Sequence, residues 1–239
     1  MDYSHVQYVI FDTFGTVVDW RTPVIEEAKS FGAKYGVDAD WELFANTWRG
    51  EGYIKVTQAI AQGKRKWETV DSMHMRKLRE LVKEYGFPDV KEEDLQHFNQ
   101  VWHRLRAWPD VVEGLTRLKE KFRIGPFSNG DFKLLLDMGK HAGLPWDFIT
   151  SADIFKRYKP DTAIYAEEVA FLGVQPDEIV FVSAHPTDMD GAKTAGCLTA
   201  LVRRPLEYGS GPKYLEREGK LPGDIEAKDF LQLADILGA

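Results

Sequence analysis

Four short stretches of this chain carry side chains that could do covalent chemistry. Asp12 ends the apolar run Val6 to Phe11. Ser128-Asn129-Gly130 follows a second apolar run. Lys159 stands in Tyr158-Lys159-Pro160, and Ser183-Ala184-His185-Pro186-Thr187-Asp188 closes a third run. A carboxylate beside an ammonium stays ionised and oriented, and so can attack an electrophile. Hydroxyls and an amide near it could hold a substrate. Each residue also has a plain reading by itself: Asp12 as a turn or cap acid, Ser128-Asn129-Gly130 as a turn, Lys159 as a surface lysine. The decision therefore rests on whether the fold brings them together.

The elements around them answer that. Tyr8 to Phe11 is short and β-branched, as a buried strand should be, and Gly15 permits a sharp exit after Asp12. From Trp108 onward, strands alternate with short helices. Strands are expected at Phe122–Phe127, Phe148–Thr150, Glu178–Val182 and Leu198–Val202. Helices are expected at Pro109–Lys121, Phe132–Ala142, Pro160–Leu172, Met189–Ala195 and Asp229–Leu237. This alternation predicts βαβ units and an α/β fold, a Rossmann-like parallel sheet. In such sheets ligands gather beyond the carboxyl ends of the strands, where Asp12, Ser128, Asn129, Lys159, Ser183 and Asp188 would all fall.

Between the first strand and Phe122 lie roughly a hundred residues of helical periodicity with no convincing strand, too long for an ordinary connection. Thr22-Pro23 opens it as N-cap and first helical residue. An inserted helical cap domain, residues 21–106, on a core of residues 1–20 and 107–239, is the economical division. Trp41, Trp48 and Trp67 read as its packing core.

Composition narrows the classes. A net charge of -7 argues against general nucleic-acid binding. No apolar run approaches the roughly 18 residues of a membrane span. Cys197 is the only cysteine, which fits a reducing cytoplasm, and its small neighbours suggest a buried thiol rather than a nucleophile.

Asp12-Thr-Phe-Gly-Thr16, Ser128-Asn-Gly130, Lys159-Pro-Asp161 and the acid Asp188 resemble, in order and at strand ends, the motifs of the haloacid dehalogenase superfamily. The resemblance implies Asp12 as covalent nucleophile and Lys159 as its partner. Most members transfer phosphoryl groups, using a second acid two residues after the nucleophile and a pair of acids near magnesium. Here Phe14 and Ala184 occupy two of those positions, so neither the proton nor the metal ligand is supplied. Halide departs as a stable anion and needs neither.

The chain is accordingly similar to the 2-haloacid dehalogenase branch. That likeness implies cofactor-free, metal-independent hydrolysis of short 2-haloacids through an aspartyl ester. Asp12, Lys159, Ser183, His185, Asp188 and Thr16 would be catalytic. Thr13, Phe14, Ser128 and Tyr165 would bind substrate, and Arg49 and Asn129 the halide. Relatives carry asparagine where this chain has His185; an imidazole there could act as a base near neutral pH. The likeness also implies a homodimer as one assembly. A magnesium phosphatase and a silent binding relative are the competing readings.

Overall fold

The computed structural model of the chain describes residues 3–209 and 223–239. Among these residues eight strands and eleven α-helices follow one another: β1 (Tyr8–Phe11), β2 (Val18–Asp19), α1 (Arg21–Tyr35), α2 (Trp41–Arg49), α3 (Lys55–Ala61), α4 (Val70–Glu84), α5 (Glu92–Asn99), β3 (Arg106–Ala107), α6 (Val111–Lys119), β4 (Arg123–Ser128), α7 (Phe132–Ala142), β5 (Thr150–Ser151), α8 (Ala152–Phe155), α9 (Ala163–Leu172), β6 (Ile179–Ser183), α10 (Pro186–Thr194), β7 (Leu198–Val202), β8 (Ile225–Ala227) and α11 (Phe230–Leu237).

Six strands form one sheet in the order β5-β4-β1-β6-β7-β8, and every pairing in it is parallel. The expected α/β fold is therefore present. β1 lies between β4 and β6, with Phe11 opposite Pro126 on one side and Val182 on the other. Val9, Ile10 and Phe11 are buried under helices on both faces, which is why the strand reads as a continuous apolar run. The chain moves outward from β1 in one direction through β4 and β5, then in the other through β6 to β8. The carboxyl end of β1 is thus the point where strand order reverses, the usual place for a ligand crevice.

Helices α1 to α5 fill the stretch between β2 and β3, two-residue strands that pair antiparallel as its entry and exit. Its interior is aromatic: Phe44 stacks on Phe98, and Trp48 meets Phe98 and Trp102 edge-on. Trp41 and Trp48 are buried there, whereas Trp67 is half-buried and stacked on Tyr158 of the sheet region.

Several local expectations need correction. α1 begins at Arg21, not after Thr22, because the Asp19 carboxylate accepts the Arg21 and Thr22 N–H groups two residues earlier. The strand expected at Phe148–Thr150 pairs only at Thr150–Ser151; before it, Asp147 exchanges hydrogen bonds with Ile124 and turns the chain. α9 starts at Ala163 rather than Pro160, since Asp161 closes a turn onto Tyr158 and then accepts the Ala163 N–H. α10 starts three residues before Met189, on Pro186. The strands β2 and β3 are too short to leave a periodicity, and β3 interrupts the region read as strand-free.

A buried acid in this core makes a test possible. The Thr150 hydroxyl lies 2.8 Å from both the Pro126 carbonyl and Glu168 Oε1. One hydroxyl has one proton, so Thr150 donates to Pro126 and a protonated Glu168 donates to Thr150. Glu168 is fully buried, and burial pushes its carboxyl up to about 8. Because the folded value exceeds the ordinary 4.5, this group's contribution to stability is complete below pH 4.5 and is lost as pH rises toward 8. Glu168→Gln keeps a donor and removes the ionisation. It is expected to unfold in urea with about 2–4 kcal/mol more stability than wild type at pH 7. That difference should vanish near pH 4.5.

Candidate active site

Beyond the carboxyl ends of β1, β4 and β6 the structure assembles most of the expected residues around one ammonium. Lys159 Nζ lies 2.9 Å from Asp12 Oδ1 and 3.1 Å from Asp188 Oδ2. All three residues are buried. The loop that delivers Lys159 is clamped by Asn129, whose Nδ2 donates to the Lys159 carbonyl at 2.9 Å and whose Oδ1 accepts the Lys159 N–H at 2.7 Å. The second carboxylate is itself held, with Tyr165 donating to Asp188 Oδ1 and Ser183 to Oδ2, each at 2.9 Å. Tyr165 also packs edge-on against Phe127 and Phe181, so it serves both the site and the core.

Asp12 has a second set of donors. Thr16 Oγ1 donates to Asp12 Oδ2 at 2.8 Å and accepts the Ala184 N–H at 2.9 Å, tying the β1 loop to the β6 loop. His185 Nδ1 stands 3.2 Å from the same Oδ2. Burial opposes ionisation of Asp12, but Lys159 and His185 outweigh it and hold the carboxyl far below its usual range. Burial likewise opposes the Lys159 charge, and Asp12 and Asp188 together raise its pKa above the ordinary value.

One partner went unread in the sequence. Glu207, after β7, is buried and places its carboxylate 3.0 and 3.1 Å from His185 Nε2. It also accepts from Trp20 Nε1 at 3.2 Å. Gly15 makes this approach feasible: at φ 86° a Cβ there would sit 2.1 Å from Glu207 Oε1. No spacing rule links residues 15, 185 and 207, and Gly15 was read from the sequence only as permitting a sharp turn. With a carboxylate at each ring nitrogen, both nitrogens must be donors. His185 is therefore an imidazolium, its pKa raised well above 6.5 by Glu207 and Asp12 despite burial.

Arg49 ends α2 and is buried among three aromatic rings. Its guanidinium carbon is 4.9 Å from the Phe14 centroid, 5.3 Å from Trp20 and 4.4 Å from Tyr53. Its Nε and Nη1 have no hydrogen-bond partner among the described residues. Tyr53, also missed, lies on the π-helical turn Gly50–Ile54, an irregularity common at functional sites. Burial raises the pKa of its hydroxyl, and its ring centroid lies 5.8 Å from that of Phe14, so it joins the Arg49 segment to the sheet edge. Ser128 is buried and accepts the Gly130 N–H, and Thr13 Oγ1 is buried with no partner among the described residues.

Asp12, His185 and Asp188 offer ligand atoms within 4.8 Å of one another. Their chemistry does not suit a hard cation. The imidazolium has no lone pair to give, and the ammonium already spans the two aspartates. Removing that ammonium should be severe. Lys159→Met leaves two buried carboxylates without their shared counter-charge, and is expected to lower stability by about 3–5 kcal/mol in denaturant unfolding.

Comparison with known proteins agrees with this geometry. The profile of the haloacid dehalogenase-like hydrolases matches residues 6–196. The (S)-2-haloacid dehalogenase 4A of Burkholderia cepacia is 30% identical over 211 residues, covering 85% of this chain and 87% of that protein. Among solved structures, the defluorinating L-2-haloacid dehalogenase Rha0230 superposes with a TM-score of 0.91 at 39% identity, covering 98% and 96% of the two chains. The L-2-haloacid dehalogenase PA0810 gives 0.88 at 35% identity, covering 97% and 99%. The parallel sheet, the strand-end motifs and these likenesses together show that the chain belongs to the haloacid dehalogenase-like hydrolases.

Proposed function

We propose that the protein is a metal-independent 2-haloacid dehalogenase acting on haloacetates and (S)-2-halopropionates. The observation that carries this reading is the pairing of a buried, anionic Asp12 with a buried Arg49 that has unpartnered N–H groups and no carboxylate partner among the described residues. The relatives named as 2-haloacid dehalogenases support it. A phosphatase is disfavoured because Phe14, buried beside Arg49, supplies no proton to a leaving oxygen.

In this reading the helices of residues 21–106 form a cap that brings Arg49 and Tyr53 over the sheet edge. Ser128 and the backbone N–H groups near Thr13 and Phe14 hold the substrate carboxylate. Asp12 attacks C2 from behind. The new C–O bond forms as the carbon–halogen bond breaks, and halide leaves with the bonding electrons toward Arg49 and Asn129.

The resulting ester is neutral, so His185 loses one of its two anionic partners and gives up a proton to solvent. Held by Glu207 through Nε2, its Nδ1 then accepts a proton from water, whose oxygen attacks the Asp12 carbonyl carbon. The tetrahedral species expels the 2-hydroxy acid as an alkoxide, which takes the remaining water proton. Asp12 is an anion and His185 an imidazolium again, with one proton and one halide released per turnover. Lys159, Asp188, Ser183, Thr16 and Tyr165 hold the nucleophile's geometry throughout.

The proposal extends to the cytoplasm, which suits the single buried Cys197, and to a homodimer, which light scattering would test. No helix among the described residues is long and apolar enough to cross a membrane.

Halide release from chloroacetate and (S)-2-chloropropionate should proceed equally with and without EDTA, and Asp12→Asn should abolish it. Loss of release in EDTA would return the phosphatase-type reading. Fluoroacetate is expected to yield fluoride more slowly than chloroacetate yields chloride, as a fluoride electrode would record. Glu207→Gln should slow ester hydrolysis about 10²–10⁴-fold while leaving ester formation within a few-fold, so that mass spectrometry finds Asp12 alkylated at steady state.

A further inference from the structure

Away from Asp12, a second histidine is held between two carboxylates, and these come from different parts of the fold. His103, on the 3-10 turn Gln100–His103, is buried. Its Nε2 lies 2.9 and 3.1 Å from the two carboxylate oxygens of Asp71, and its Nδ1 lies 2.8 Å from Asp137 Oδ2. Asp71 is in the first turn of α4, within the helical stretch 21–106, whereas Asp137 is on α7, which follows β4. A neutral imidazole has one N–H and would turn its lone pair on one of these carboxylates, so the geometry requires the charged ring.

The same helix end is gripped a second time. Asp131, the N-cap residue of α7, accepts the Val70 and Asp71 N–H groups, each at 2.9 Å. Among the described residues, the start of α4 is therefore joined to α7 by one imidazolium bridge and one carboxylate cap. α4 in turn carries the Arg49 segment. Trp48 Nε1 donates to the His74 carbonyl at 2.9 Å, and Gly52 packs so closely on Lys77 that a Cβ would fall 2.7 Å from the Lys77 Cβ.

We propose that His103 is a protonation-dependent latch between the helical segment and α7, positioning Arg49 and Tyr53 over the Asp12 edge while the ring is charged. The surroundings favour the charge. From α4 it faces Asp71, with His74 kept neutral by burial. From α7 it faces Asp137, which also binds Lys133; burial pushes the Asp131 carboxyl up to about 6, so its cap on α4 strengthens as pH rises and works against the loss of the latch. The Glu27 carboxylate of α1 is paired with the neighbouring Arg104 and with His97 of α5. Burial opposes the charge on His103, but Asp71 and Asp137 outweigh it and raise its pKa above 6.5. The sign follows: the latch is at full strength below pH 6.5 and is lost as pH rises through the raised folded value. At that point one of the two carboxylates faces the ring's lone pair, that side of the bridge is lost, and the Asp131 cap carries more of the hold on α4.

Amide exchange read by mass spectrometry on the substrate-free full chain tests this without reference to any reaction. In wild type, protection of the segment around Val70–Leu78, corrected for intrinsic exchange, should fall at least tenfold between pH 6 and pH 9. Protection in β1 and β6 should hold. His103→Gln, which keeps one donor and cannot carry charge, should show the low value at both pH values. Asp137→Leu, which removes the α7 acceptor of His103 together with the Lys133 ion pair within α7, should do the same and carries the test if His103→Gln fails to fold. Wild-type protection of α4 in the variant that folds, or no pH dependence in wild type, overturns the proposal. A second arm rests on the proposed function: KM for (S)-2-chloropropionate should rise about tenfold in that variant at pH 6, with kcat within threefold. If no turnover is found in any form, the dehalogenase reading fails and the exchange result still decides the latch.

Discussion

The ammonium of Lys159, buried between Asp12 and Asp188, is the contact on which the rest of the structure depends. A lone charge at that depth would cost several kcal/mol in lost hydration, and so would either carboxylate. Together they are tolerated because each charge faces an opposite one and both carboxylates accept further hydrogen bonds. Thr16 and His185 serve Asp12, while Tyr165 and Ser183 serve Asp188. Asn129 fixes the backbone that delivers the lysine from both sides of one peptide. Three strands and the α9 helix meet at this pair, so the carboxylate that would act as nucleophile is also the one that the fold is built to keep ionised.

Around that pair the charges alternate. Asp188, Lys159, Asp12, His185 and Glu207 form a line of hydrogen-bonded groups in which each cation touches two anions. Arg49 stands apart from the line, in a cage of aromatic faces that stabilise a cation without neutralising it. A guanidinium left with donors in hand can receive an anion formed during a reaction, whereas one already paired with a carboxylate cannot. The same device, an imidazolium between two acids, recurs at His103, where it joins two parts of the fold instead of two parts of a site.

The fold, and the gathering of charged groups at one sheet edge, were legible from residue order. β1, β4, β6 and β7 are apolar runs of the right length, and parallel strands joined by helices allow few arrangements, so the acids and hydroxyls after those strands had to share an edge. Phe14 and Ala184 were equally readable, because the loss of an acid is a local fact. In the structure Thr16 donates to Asp12 and Ser183 to Asp188, and Tyr165, read from the sequence as a substrate-binding residue, donates to Asp188. The start of α1 was misplaced because Asp19 caps the Arg21 and Thr22 N–H groups, ahead of those a Thr22 cap would take, and sequence pattern does not rank the two.

What the chain order could not disclose were partners distant in sequence with no periodic signature. Glu207 reaches His185 only because Gly15 leaves room for it, and Tyr53 reaches Arg49 because α2 gives way to a π-helical turn. His103 gains its second carboxylate only because α7 packs Asp137 against it. Strand order and motif placement are set by local periodicity and handed connections, which a sequence carries openly. The charge state of a buried imidazole is set by which carboxylates lie within about 3 Å. That is decided only when segments distant in the sequence are packed together.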